Sequence, residues 1–519
     1  MLRKGGSATD AAIATMLALN VVEPQSSGIG GGGFYVYGAQ DGTVETLDGR
    51  EKAPASAGPD WFLGPGGEPL PFPRAVMSGL SIGVPGNVAL AAEAHRRHGR
   101  LAWADLFQPA IALARDGFAV TGRLHEFLDM ARDRAALDPE GRALFYDQSG
   151  EPLPVGTRIV NTELARTLET IAAQGPSAFY GRDNAQALAA TIGAATPHEG
   201  AMAASDITQY SPIWRPAVCG EYRRYRICGM GPPSSGATTV FAILKQLEGF
   251  DLTALGPDSP VSWHLFAESQ RLAYADRELY LADADYISVP VDGLMDADYL
   301  RLRGEQISAD ARMATVAAGS PAGTRLGGAD GDEPLENGTS HFVAVDGEGS
   351  AVSYTSTIEG PFGSGYMHGG FYLNNELTDF SFTPAVDGRP VANRVEGGKR
   401  PRSSMAPTVV FSPQGELVLA IGAAGGGTIP VQVAKALIGV IDWGLDAQEA
   451  IALPGLYAPG DTMIVEPGSP LLRFRAQFEA LGHTVQARAL PLKANAAQWV
   501  DGAWLGAADP RSEGAAVAQ

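Results

Sequence analysis

Positive charge is in short supply in this sequence. Its 38 Lys and Arg stand against 58 Asp and Glu, a net charge of −20 with a pI near 4.8. A surface that acidic repels phosphate backbones and anionic lipid, which argues against nucleic-acid and anionic-membrane partners. Cysteine is nearly absent. Only Cys219 and Cys228 occur, with no Cys/His constellation around them, so neither is a candidate nucleophile. The eight His are scattered without HExxH or paired-ligand spacing, so no metal site is expected and no cofactor is called for. No apolar run reaches the length of a bilayer span. No signal peptide is visible either, because Met1 to Ser7 leads straight into an amphipathic helix rather than a short apolar core with a cleavage site. No period suggests tandem repeats.

What is present is a long, mixed chain. Its 519 residues are 45% hydrophobic and 18% charged, enough for a large core in one big or two medium domains. Ser7-Ala-Thr-Asp10 is a capping-box start for a helix predicted over Ala8 to Asn20, and strands follow at Phe34 to Tyr37 and Thr43 to Leu47. Helical patterns run from about Asn87 to His98, Trp103 to Gly117, Arg123 to Leu137, Asn161 to Gln174 and Asn184 to Gly193. Tyr210 to Cys228 reads as strands, Gly231 to Gly236 opens a helix to about Leu247, and a longer helix spans about Val261 to Leu281. The charges of that helix, Glu268, Arg271, Asp276 and Arg277, are expected in solvated pairs or structural bridges. Cys219 and Cys228 flank a tight hairpin whose two-residue turn at Arg223-Arg224 sets them opposite each other. A cross-strand disulfide is geometrically open; two half-buried thiols are the expected state.

The chain is organised around Glu336-Asn337-Gly338-Thr339-Ser340-His341-Phe342. Upstream, from about Gly319 to Leu335, a Gly/Ala/Asp/Pro-rich segment reads as an exposed, mobile loop. Downstream, Thr339 to Asp346 and Ser350 to Thr357 alternate about a glycine turn as a hairpin. The loop joins two halves of one predicted sheet system, so one intertwined domain is expected. On pattern alone Thr339 is a strand start. If the Gly338–Thr339 bond were cut, however, a free α-amine would lie beside the Thr339 hydroxyl. Such an amine titrates near pH ~7.7–8.0 and can serve as that hydroxyl's general base.

Further polar groups accompany it. Gly28, Gly30 and Gly33 satisfy GxGxxG, but they follow a helix and precede a strand, the reverse of a dinucleotide fold, and read as close backbone packing beside a site. Arg50 ends a strand; on spacing it is a surface residue, and chemically it is a fork for a carboxylate. Glu376 and Asp379 stand three apart just past a strand. With Arg50 they would make a zwitterion clamp; alone they would cap a turn. The Gly-rich strand-to-helix turn from Gly422 to Thr428 exposes backbone N–H groups suited to an oxyanion.

In order, these words resemble the γ-glutamyltranspeptidase family, whose small subunit begins Thr-Thr/Ser-His-Phe/Tyr. The resemblance covers nearly the whole chain: "EPQSSGIGGGGF" from Glu23, "REKAP" from Arg50, "LNNELTDF" from Leu373, Ser403-Ser404, the glycine turn, and "GAADPR" from Gly506. It implies an α/β fold, a four-layer αββα sandwich of the N-terminal nucleophile hydrolase type, with residues 1–338 as large-subunit region and 339–519 as small subunit. It implies cleavage between Gly338 and Thr339, Thr339 as nucleophile, Thr357 hydrogen-bonded to it, and Gly425 and Gly426 as oxyanion donors. Arg50, Ser403 and Ser404 would bind the substrate α-carboxylate, and Glu376 and Asp379 its α-amine. The substrate is then glutathione or another γ-glutamyl compound, with water or an amine as acceptor.

Four departures are visible. Glu359 replaces the family's usual Asn, though a carboxylate still pairs with an ammonium. The oxyanion loop reads Ala423-Ala-Gly-Gly-Gly427. The stretch from Phe380 to Lys399 looks shorter than a long lid, which suggests a more open site. Met1 falls inside a family motif, so a signal sequence and first strand are expected to be missing, leaving an unpaired sheet edge. The compartment is periplasmic or secreted if a signal has been lost and cytoplasmic otherwise. Two rival readings stand: a glutaryl-type β-lactam acylase of the same family, and an unprocessed, inactive glutamate-binding protein.

Overall fold

The computed structural model describes residues 1–197, 200–324, 328–329 and 338–518. Part of the upstream segment, together with Glu336 and Asn337, lies outside the described residues. Helix α1 (Ala8–Val22) is closed at its start by a reciprocal capping box between Ser7 and Asp10. Strands β1 (Gly32–Gly38) and β2 (Val44–Gly49) follow, then helices α2 (Asn87–His98), α3 (Trp103–Asp116) and α4 (Thr162–Gln174). Next come β3 (Ile213–Arg215), the hairpin β4 (Val218–Tyr222) and β5 (Tyr225–Gly229), and helices α5 (Gly236–Leu247) and α6 (Pro260–Tyr280). Past Gly338 lie the hairpin β6 (Ser340–Val345) and β7 (Ala351–Thr357), strands β8 (Thr408–Phe411) and β9 (Leu417–Ala424), helix α7 (Ile429–Ile441), and the hairpin β10 (Lys493–Val500) and β11 (Ala503–Ala508).

Two sheets stack face to face. The first has the order β3-β2-β1-β7-β6, the second β11-β10-β9-β8-β5-β4, and every pairing is antiparallel. Each sheet therefore takes strands from both sides of Gly338, and the strand opened by Thr339 stands at an edge. Strand alternation builds the layers. Phe34 and Val36 of β1 point into the core shared with the second sheet, while Tyr35 between them points into the helical core with Val352 and Tyr354 of β7. Full burial of a ring such as Phe34 contributes about 2–3 kcal/mol. Helices α1 and α2 lie on the first sheet, with α3 against α1 and α4 against α3; α5 and α7 cover the second, with α6 outside α5. This is the four-layer αββα order. Among the described residues no helix is long and apolar enough to cross a membrane.

Two expectations need correction. Arg123 to Leu137 is two helices, Gly122–Met130 and Arg132–Ala135. The chain leaves helical torsions at Ala131 (φ −110°, ψ 31°), and the second helix restarts with Arg134 N and Ala135 N both donating to Ala131 O. The cysteines are bonded, not free. Cys219 and Cys228 are register partners with Cα atoms 4.1 Å apart, and the turn between them places both Arg223 and Arg224 at positive φ, as a two-residue hairpin of this hand requires. Of the two states expected for Glu268, Arg271, Asp276 and Arg277 on α6, the structure has the structural bridges: all four are buried, with Arg271 paired to Glu268 at 3.0 Å and Arg303 to Asp276 at 3.2 Å.

Candidate active site

The Thr339 hydroxyl donates to the Thr357 hydroxyl at 3.1 Å. Thr357 is the last residue of β7, next to the strand Thr339 opens, so hairpin register alone brings the two together. Thr357 Oγ1 also accepts from the Glu359 N–H at 2.8 Å, and the Thr339 N–H donates to Ser26 O at 3.2 Å. Both threonines are buried. The glycine loop between α1 and β1 passes directly behind: a Cβ on Gly31 would overlap the Thr357 carbonyl oxygen, which is the close packing expected of that loop. A Cβ on Gly338 would likewise overlap the Glu359 carbonyl. Thr339 sits at φ 101° and Glu359 at φ 72°. A β-branched residue in the left-handed region is strained by about 1–3 kcal/mol, so the strain falls on the Gly338–Thr339 junction itself.

Arg50 is 1% exposed, not a surface residue. Its guanidinium forms close ion pairs with Glu376 and Asp379 and donates to Arg402 O (2.7 Å) and Pro401 O (3.2 Å). Asn393 ties the two walls together, donating to Asp379 O (2.7 Å) and accepting from Arg402 N (2.9 Å). Glu359 is held by Asn375 and lies near enough to Glu376 for their charges to interact. The structure thus gathers Arg50, Glu359, Glu376 and Asp379. Ser403 and Ser404 follow directly on the Arg402 carbonyl, but Ser404 Oγ takes a hydrogen bond from Arg277 Nη2 at 2.7 Å.

Beside them is a residue that sequence reasoning missed. Glu51 is fully buried, among the described residues no N–H or hydroxyl group of another side chain reaches its carboxylate oxygens, and it lies close enough to Glu376 for the two acids to interact. Burial pushes its carboxyl up to about 8, Arg50 opposing. Burial raises Glu376 well above its ordinary range as well, against the pull of Arg50, so the two acids titrate as a pair that holds a proton between them at neutral pH. The signal for Glu51 was its place next to Arg50. Arg277 carried no signal beyond a polar position on a helix.

The glycine turn lies at the same end as Thr339. Ser353, the register partner of Val343, donates to Ile421 O at 2.9 Å, and the His341 ring packs on Gly422. Going toward Thr339 along β6 therefore means going toward Gly425 along β9. A partly buried ion pair reinforces this end: Lys493 Nζ, on the strand beside β9, bonds Glu23 Oε2 at 2.6 Å, and Ser340 Oγ donates to the same oxygen at 2.7 Å. Although burial disfavours its charge, Lys493 and Ser340 hold Glu23 below the usual carboxylate range. Burial keeps His341 neutral, its pKa near 3, with Nδ1 2.8 Å from Thr355 Oγ1.

Stacked antiparallel sheets between helical layers, with a hydroxyl residue opening a strand behind a glycine, define the N-terminal nucleophile hydrolase fold. The chain matches the γ-glutamyltranspeptidase family over residues 1–519 and belongs to it. It is 36% identical over 471 residues to a glutathione hydrolase proenzyme of Bacillus subtilis, covering 88% of this chain and 78% of that protein. It is 35% identical over 531 residues to the Escherichia coli glutathione hydrolase proenzyme, covering 99% and 88%. Among solved structures, a cephalosporin acylase from Bacillus halodurans superposes with a TM-score of 0.85 at 27% identity, covering 99% of this chain and 91% of that one.

Proposed function

We propose that the chain is a precursor that cuts its own Gly338–Thr339 bond and then hydrolyses or transfers γ-glutamyl groups. The observation that carries this is the buried Thr339 hydroxyl, bonded to Thr357 at a strained junction. In maturation the hydroxyl attacks the Gly338 carbonyl carbon, the C–N bond breaks so that the amide becomes an ester and the Thr339 amine is freed, and water then cleaves the ester to release the Gly338 carboxylate and restore the Thr339 hydroxyl. The torsion φ at Thr339 runs through the Gly338 carbonyl carbon, so cleavage removes the strained constraint. The free amine then takes the Thr339 hydroxyl proton while the oxygen attacks the substrate γ-carbonyl. Gly425 and Gly426 N–H groups hold the oxyanion, the leaving amine departs, and water or an amine acceptor resolves the γ-glutamyl ester.

Substrate choice follows from the charges. Glu376 and Asp379 both pair with Arg50. A zwitterion exchanges partners with them: its α-carboxylate takes Arg50, and its α-ammonium takes the released acids with Glu359. A glutaryl group without the amine would leave those carboxylates unpaired. The similarity to a cephalosporin acylase keeps a glutaryl-type β-lactam substrate as the second reading. The test compares a γ-glutamyl anilide with its desamino glutaryl counterpart. At least a hundredfold preference for the amine-bearing substrate supports the first reading; equal or reversed rates support the second; no turnover of either by cleaved protein refutes both.

A further inference from the structure

Glycines cannot position themselves by packing, so something must aim the two N–H groups of the Gly425-Gly426 pair. In a trans peptide the N–H points opposite to the C=O of the preceding residue. Anchoring Ala424 O therefore aims Gly425 N–H, and anchoring Gly425 O aims Gly426 N–H. Both carbonyls are anchored. Gln432 Nε2, from the first turn of α7, donates to Ala424 O at 2.8 Å. Thr428 Oγ1 donates to Gly425 O at 2.8 Å, and Thr428 N reaches the same oxygen at 3.2 Å. The two anchors are joined, since Gln432 Nε2 also donates to Thr428 Oγ1 at 2.9 Å. The far side of the amide is fixed too: Gln432 Oε1 accepts from Lys493 N at 3.0 Å, and Lys493 faces Ala424 in register. A flipped amide would set two oxygens against each other, so its orientation is determined. Gln432 and Thr428 are both buried, and Gly425 (φ 122°) and Gly426 (φ 56°) have backbones that need such holding.

We infer that Gln432 and Thr428 form a clamp that sets the direction of both oxyanion N–H groups. They are positioning residues acting through the loop, and the inference rests on the γ-glutamyl or glutaryl acyl-transfer reading above. Lys493 extends the clamp, because its side chain bonds Glu23 and through it Ser340, next to the nucleophile. The loop carrying the donors and the strand carrying Thr339 are thereby held by one chain of bonds.

The test measures kcat and KM with a γ-glutamyl anilide for wild type, Gln432→Leu, Thr428→Val, Thr428→Ser and the double variant Q432L/T428V, per mole of cleaved chain. Losing an oxyanion donor outright costs about 10²–10³-fold in rate. Misdirecting one should lower kcat about 10–100-fold in Q432L and T428V, with KM within about threefold. T428S, which keeps the hydroxyl, should retain near wild-type kcat. The double variant should fall little further than either single one, because the two act as a unit. Thermal unfolding of each variant reports the fold separately. Wild-type kcat in both single variants overturns the clamp, as does a loss confined to KM or fully multiplicative losses. Absence of acyl turnover in cleaved wild type overturns the underlying reading, and the clamp with it.

Discussion

Glu51 makes a prediction whose size follows from its surroundings. It is a fully buried acid beside a second acid, and the neighbouring cation, Arg50, is already engaged by Glu376 and Asp379. Its carboxyl therefore keeps its proton until about pH 8, against an ordinary value of 4.5. The unfolded chain releases that proton above about pH 4.5, whereas the folded chain holds it. Between those limits the folded state binds more protons, so stability falls as pH rises and levels off above about 8. At about 1.36 kcal/mol per pH unit, the loss reaches on the order of 4 kcal/mol at pH 8. Glu51→Gln has no proton to lose and can still donate to Glu376, so its stability should lack this decline. The assay is denaturant unfolding from pH 5 to 9 of Thr339→Ala protein, kept as a single chain, with and without Glu51→Gln. The variant should gain progressively on the parent as pH rises, most of the gain appearing between pH 5 and 8. Parallel curves would refute the reasoning.

Other perturbations have equally definite outcomes. Arg50→Lys keeps the charge and loses the fork, so the KM for a γ-glutamyl donor should rise about 10–100-fold, the ~1.5–3 kcal/mol of a charged hydrogen bond; steady-state kinetics with KM unchanged would contradict the clamp role. Replacing Cys219 and Cys228 by Ser should cost about 2–3 kcal/mol in unfolding measurements, given the short loop they close, while turnover per cleaved chain holds; a loss of turnover in folded protein would be unexpected. Lys493→Met strands a partly buried carboxylate and should cost about 3–5 kcal/mol, much of it recovered in the Lys493→Met/Glu23→Gln double variant; a double variant no more stable than Lys493→Met would argue against the ion pair. Gly31→Ala drives a methyl into the Thr357 carbonyl and should block cleavage on a denaturing gel; normal cleavage would show that Thr357 tolerates displacement.

Much of the fold was legible because its signals are local. The capping box at Ser7 and Asp10, the alternation on either side of Gly347 to Gly349, and the Asn87 to His98 helix carry their reasons in the chain itself, and all three form where expected. Failures came where distant partners decide. The burial of Arg50 and of the α6 charges could not be read from spacing, because each is paid for by acids, hydroxyls and carbonyls on other elements. At the candidate site, Thr339, Thr357, Arg50, Glu376 and Asp379 were named from words in the sequence, and the hairpin register and the ion pairs bring them together in two adjoining groups. Glu51, Arg277, Gln432 and the Glu23–Lys493 pair went unseen, since their significance lies in which atoms they touch.

Self-cleavage at Gly338–Thr339 is the central claim, and intact mass with N-terminal sequencing of freshly purified protein, incubated at neutral pH, tests it most directly. Two fragments should appear, the smaller beginning Thr339-Ser-His-Phe, and Thr339→Ala should stay whole and inactive. A wild-type chain that remains uncut yet turns over γ-glutamyl substrate, or a Thr339→Ala chain that is fully cleaved, would contradict it.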